Sequence, residues 1–119
     1  MVENLRQRYS AGEIHTWTGQ MLLVLNPRRP LPQYTEARMA AMLPESQVLD
    51  AGRSLPPHVF AVAEEAFRGA TRAGVPQAII VSGVSGAGKT ECARRVLHYL
   101  TWRARRPTLK KFFQASTSR

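Results

Sequence analysis

One stretch limits what this chain can fold into more than any other. Gly83-Val84-Ser85-Gly86-Ala87-Gly88-Lys89-Thr90 fits G-x-x-x-x-G-K-[ST], the phosphate-binding P-loop. Its glycines permit backbone conformations that a side chain forbids, and they allow close approach to a ligand. Successive backbone N–H groups can then line a nest for an anion. Lys89 is placed to reach the β/γ-phosphates, and the Thr90 hydroxyl to ligate Mg²⁺.

Such a loop needs a strand entering it and a helix leaving it. Ala78-Ile79-Ile80-Val81-Ser82 is a short apolar run behind the turn signal Gly74-Val75-Pro76, and it predicts a buried strand. Beyond the loop, Ala93, Val96, Leu97 and Leu100 recur at helical spacing, which predicts a helix starting near residues 88–90. The positive end of that helix adds to the anion site.

Elsewhere the pattern alternates strand and helix. Residues 3–10 predict a short helix with Leu5 and Tyr9 on one side, stopped at Gly12. Ile14–Thr18 and Met21–Leu25, joined at Gly19-Gln20, read as a β-hairpin. The second of these strands is apolar throughout, which predicts burial on both faces in a larger sheet. Three prolines within residues 27–32 make a stiff, extended loop. Such a loop serves either as a connector or as a binding edge.

Thr35 is placed to cap a helix over Glu36 to Leu43. Residues 44–55 are polar and irregular. A longer helix follows, with Pro57 in its first turn. Its apolar stripe is Val59, Phe60, Ala63, Ala66, Phe67 and Ala70, and Gly74 ends it. The fold class is therefore α/β of the P-loop NTPase type: part of a larger mixed sheet flanked by helices.

With 119 residues the chain has room for one small domain. No run of 18 apolar residues is present, so no transmembrane segment is expected. The opening residues lack the apolar core of a secretory signal, and Cys92 has no cysteine to pair with. Both point to a reducing, cytoplasmic compartment. The net charge is +9, and no acidic residue follows Glu91. Residues 105–119 read as a basic, disordered tail, and no motif for reading a specific nucleic acid is present. His15, His58 and His98 lie at no metal-ligand spacing and are expected to be structural or surface residues. No catalytic triad or carboxylate pair stands out.

Four ordered blocks resemble the N-terminal part of a myosin motor head. They are Leu5–Gly19, Leu22–Tyr34, Pro56–Phe67 and Ile79–Leu100. The likeness lies in a strand before glycine (Ile14 to Gly19), in Asn26-Pro27 running on to Pro32-Gln33-Tyr34, and in Pro56-Pro57-His58 before a helix. It is completed by the P-loop, followed by Glu91 and a helix ending in Tyr99-Leu100. The resemblance covers about residues 3–104, read as a motor-domain portion spanning 1–104, and it is most similar to an unconventional myosin.

The resemblance implies ATP with Mg²⁺ as the ligand. Asn26, Pro27 and Tyr34 would lie at the adenine end, Gly83 to Thr90 around the phosphates, Thr90 on the metal, and Glu91 near the nucleotide's edge. It also implies a cytoskeletal setting, with an actin filament as partner of the full motor. Light chains or calmodulin are implied only where a longer chain exists. Three departures bear on how tightly the nucleotide is held: Val84 stands where the family usually has glutamate, Cys92 where asparagine is common, and Arg28 where an aromatic is usual.

The switch I, switch II and actin-binding stretches of the family do not occur in these residues. Phosphoryl transfer rests on positioning and charge stabilisation. The expectation is therefore binding of ATP by this chain, with hydrolysis belonging to a longer one. Two alternatives stay open: a non-enzymatic fragment with a basic tail, and a free-standing P-loop phosphotransferase.

Overall fold

The computed structural model describes residues 2–44, 55–84 and 86–106. Residues 107–119 of the expected disordered tail, residues 45–54 of the irregular segment 44–55, Met1 and Ser85 lie outside the described residues.

The apolar stripe beginning at Val59 forms part of the core shared by two packed helices. We number the elements α1 (Val2–Ser10), β1 (His15–Thr18), β2 (Met21–Val24), α2 (Glu36–Ala41), α3 (Val59–Thr71) and α4 (Lys89–Ala104). Helix α3 lies against α4, and Met39, Met42, Leu55, Val59, Phe60, Ala61, Ala63, Val96 and Tyr99 form one buried cluster. The Phe60 and Tyr99 rings stack across it with centroids 5.4 Å apart. No helix among the described residues is long and apolar enough to cross a membrane.

The start of α3 differs from expectation. Pro57 precedes the helix rather than opening it, because His58 takes the cap. His58 is extended (φ −168°, ψ 152°), and its Nδ1 accepts from the Phe60 N–H at 2.9 Å. With Nδ1 accepting, Nε2 carries the proton and donates to the Gln33 carbonyl at 2.6 Å. One buried imidazole thus caps α3 and pins the proline-rich loop. Helix α2 starts as expected, with Thr35 Oγ1 accepting from the Arg38 N–H at 3.2 Å. It ends at Ala41 rather than Leu43, since Pro44 disfavours a helical Leu43 and the last amides reach back only three residues.

The hairpin is antiparallel, in the register His15↔Val24 to Thr18↔Met21. Its second strand is not buried on both faces. Leu22 and Val24 pack on the core while Met21 is 64% exposed. Among the described residues this is the whole sheet. Helix α1 is fastened to it: Arg8 donates to Thr16 Oγ1 at 2.9 Å and to the His15 carbonyl at 2.8 Å.

Residues 78–82 do not form the expected strand. No described residue pairs with them, and Ile80 is 89% exposed. A strand exists only through its ladder, so an apolar run without a neighbouring edge stays unpaired. The stripe on α4 also turns out differently. Val96 is buried and Leu100 half-buried, but Leu97 is 64% exposed. The face against α3 continues through Tyr99 and Arg103 instead. Leu97 borders an open apolar hollow of about 490 Å³, shared with Phe67, Ile79 and Val81.

A polar cluster joins the two helices. Glu64 is fully buried, and its Oε1 accepts from Tyr99 Oη at 2.6 Å and from Arg103 Nε at 2.8 Å. Arg68 Nε bonds the other carboxylate oxygen, while its Nη2 donates to the Met42 carbonyl at 2.9 Å. Arg103 also lies 4.4 Å over the Phe67 ring. The carboxylate beside it and burial together push the Tyr99 phenol far up, with burial the larger cause. Replacing Glu64 by alanine strands the buried Arg103 without a counter-charge. Glu64→Ala should therefore destabilise the chain by about 3–5 kcal/mol, and Tyr99→Phe by about 1 kcal/mol. Urea denaturation midpoints check both, and equal midpoints for Glu64→Ala and wild type would refute the role given to Glu64.

His15 stacks on His58 with centroids 4.5 Å apart. Burial lowers the His15 pKa to about 3, helped by His58 and Arg38, and burial likewise lowers that of His58. The unfolded chain therefore binds protons below its ordinary imidazole pKa of about 6.5 that the folded chain refuses. Stability is full above that pH and falls as pH drops below it, by up to about 1.4 kcal/mol per pH unit per imidazole. Because the His15 Nε2 finds no partner among the described residues, His15→Phe should hold stability at pH 7.5 and flatten the decline towards pH 5. Denaturation midpoints across that range provide the check.

Candidate functional site

The loop after residue 82 is shaped by its glycines. Gly86 and Gly88 hold φ of 82° and 98°, values that favour glycine. A Cβ on Gly83 would lie 3.4 Å from Ala87 Cβ and 3.5 Å from Lys89 Cγ. The loop thus closes tightly, with the Lys89 stem folded back across it. Ala87 N–H donates to the Val84 carbonyl at 3.1 Å and closes the turn.

Gly88 is the N-cap of α4, and no side chain caps that end. The first amides of a 16-residue helix are thereby left to a ligand or to water. Lys89 and Thr90 are both exposed in its first turn. Open amides, the helix dipole, an ammonium and a hydroxyl at one point fit a polyphosphate with its divalent cation.

Beside this point lies a cavity of about 320 Å³, in the size range of small-molecule sites. Asn26, Pro27 and Tyr34 line one side, and Ala87, Gly88 and Glu91 the other. The structure therefore brings the two expected groups of residues, some 60 positions apart, to a single hollow. Gly83, Val84, Lys89 and Thr90 stand at the loop rather than on the cavity wall, and Ser85 lies outside the described residues.

Three features of the wall were not read from the sequence. Arg95 lies 4.5 Å over the Tyr34 ring, and its Nε is 2.9 Å from Glu91 Oε1. The i, i+4 spacing of Glu91 and Arg95 was the available signal. Glu91 also pairs with Arg94 at 3.2 Å. Cys92 faces the same cavity. Asn26 is committed to the protein itself: its Oδ1 accepts from the Arg28 N–H at 2.9 Å, and its Nδ2 donates to the Gly86 carbonyl at 3.1 Å. Arg28, where the family usually has an aromatic, is held at φ 55° by that turn.

Burial raises the Tyr34 phenol, and the nearby Cys92 adds to the rise while Arg95 opposes it. Burial also pushes the Cys92 thiol up, with the Glu91 carboxylate contributing. Tyr34 is thus a neutral hydrogen-bonding ring at neutral pH, and Cys92 a protonated thiol. Alkylation of Cys92 by iodoacetamide at pH 8 should run several-fold slower than that of a free cysteine, and it should speed up on unfolding in urea. Reaction at the free-thiol rate in the folded chain would contradict this reading of the wall.

A family profile for the myosin head (motor domain) matches residues 1–114. Myosin-6 of Arabidopsis thaliana is 41% identical over 102 residues, which is 86% of this chain and 6% of that protein. Myosin-14 of Homo sapiens is 39% identical over 111 residues, 93% of this chain and 5% of that protein. Myosin-1 of Sclerotinia sclerotiorum is 41% identical over 98 residues, 82% of this chain and 8% of that protein. The chain thus spans about 5–8% of the length of these relatives.

Proposed function

The chain belongs to the myosin head (motor domain) family, and on that premise we propose that it is the ATP-binding front end of an actin-based motor. The observation that carries the reading is one juxtaposition. The uncapped start of α4, with Lys89 and Thr90, opens beside the hollow lined by Asn26, Pro27, Tyr34 and Glu91.

Each part has a role of its own. The backbone N–H groups of Gly86 and of Gly88 to Thr90, with the Lys89 ammonium, hold the β/γ-phosphates. Thr90 would supply one oxygen to Mg²⁺, with phosphate oxygens of the nucleotide supplying others. Pro27 and Tyr34 offer apolar surface and a phenol to the base. Glu91 is held off the loop by Arg94 and Arg95, so its charge is offset beside an anionic ligand. The bound nucleotide supplies a phosphoanhydride that can be cleaved, and the residues above position it without activating water. Binding is the activity that these residues support. Hydrolysis, the actin contact and any light chains belong to the longer proteins of the family, and the cytoskeletal setting follows from the same membership.

Calorimetric titration with Mg·ATP tests the reading. Wild type should bind, and Lys89→Ala should weaken binding at least tenfold, the scale of a charge-assisted contact to phosphate. Equal weak binding by both forms would mean that the basic side chains trap anions nonspecifically, and would sink the proposal.

A further inference from the structure

The family resemblance implies a place for Asn26 at the base end of a nucleotide, yet its side chain is spent elsewhere. The Nδ2 group crosses to the Gly86 carbonyl at 3.1 Å, and the Oδ1 atom holds the Arg28 amide at 2.9 Å. The backbone carrying Asn26 is itself held from behind. Tyr9 Oη donates to the Pro27 carbonyl at 3.1 Å and lies 3.4 Å from the Asn26 carbonyl. Tyr9 sits on α1, which the Arg8 bonds fasten to β1.

The Gly86–Ala87 peptide is one rigid plane. Asn26 holds its oxygen, and its N–H donates to the Val84 carbonyl at 3.1 Å. Both ends of a single peptide are therefore fixed in the middle of a glycine-rich loop that would otherwise have wide conformational freedom. The amides that follow, at Gly88 and at the start of α4, inherit their direction from that plane.

We infer that Asn26 is a positioning residue: a strap from the hairpin side that orients the phosphate loop through Gly86, rather than a contact to the base. Ligand affinity then depends on Asn26 through the polyphosphate alone. The binding arm of the test rests on the nucleotide-site reading above, whereas the exchange arm does not.

The variant is Asn26→Ser, which is neutral and keeps an oxygen able to accept the Arg28 amide but cannot reach Gly86. Asn26→Ala serves as the second variant. Affinities for Mg·ATP and for Mg·tripolyphosphate, which has no base or sugar, are measured on the full chain. Amide exchange at Ala87 and Gly88 is followed without ligand. The strap predicts that both ligands weaken by the same factor, about two- to tenfold, and that exchange at Ala87 accelerates by a similar factor. Weakening confined to ATP would make Asn26 a base contact and overturn the inference. Unchanged exchange at Ala87 would overturn it as well. If wild type binds neither ligand, the nucleotide-site reading falls, and the exchange result alone decides the strap.

Discussion

A buried carboxylate sets the geometry of this chain. Glu64 sits with no solvent contact between α3 and α4. Removing a charge from water costs several kcal/mol unless donors replace the lost hydration. Here three donors do so: Tyr99 Oη, Arg103 Nε and Arg68 Nε. Hydrogen bonds tolerate little displacement, whereas aliphatic contacts would permit one helix to slide along the other. The cluster therefore fixes the register of α4 on α3, and with it the position of the α4 N-terminus. Since the phosphate loop ends at that N-terminus, a charge in the helix interface determines where an anion would sit.

What could be read in the sequence was what the backbone dictates locally. The glycines of residues 83–88, the Thr35 cap and the turn at Gly19 each reflect a conformational need met within a few residues. The structure has all three. Features that depend on distant partners were misread or missed. An apolar run at 78–82 satisfies the pattern of a strand, but pattern cannot provide the ladder. Counting apolar residues on α4 selected Leu97, which is exposed, and passed over Arg103, which is buried. An arginine becomes a core residue only when a glutamate on another helix meets it. Pro57 pointed to the right helix with the wrong start, because a histidine side chain is an uncommon cap.

The candidate site shows the same division. The loop was legible as a candidate phosphate site because its motif is contiguous. That Asn26, Pro27 and Tyr34 share a hollow with Gly88 and Glu91 was reached through family likeness, and the fold brings them together by packing the proline-rich loop against α3 through His58. Of the residues that depart from the family, Cys92 lies on this wall, Val84 stands at the loop, and Arg28 follows Pro27 in the adjoining turn. Cys92 replaces a polar amide with a protonated thiol, and Arg28 replaces a ring with a charge held at positive φ. Neither removes a backbone donor from the loop at 83–90, so the loop and the wall near Pro27 can vary independently.

The two polar fastenings act on opposite sides of that loop. Glu64 holds the C-terminal half of α4 through Tyr99 and Arg103, two to four turns from the loop. Asn26 holds Gly86 from the hairpin side, before the helix begins. Either one alone would leave a degree of freedom: the helix could be placed with its loop unformed, or the loop formed on a helix free to slide. Together they leave the amides at 86–90 oriented before a ligand arrives, and a preorganised nest loses less entropy on binding than one the ligand must assemble. The exposed apolar side of residues 79–81 and Leu97 takes no part in either fastening. The phosphate loop can therefore be ordered by its own two supports while the hollow beside α3 and α4 stays open.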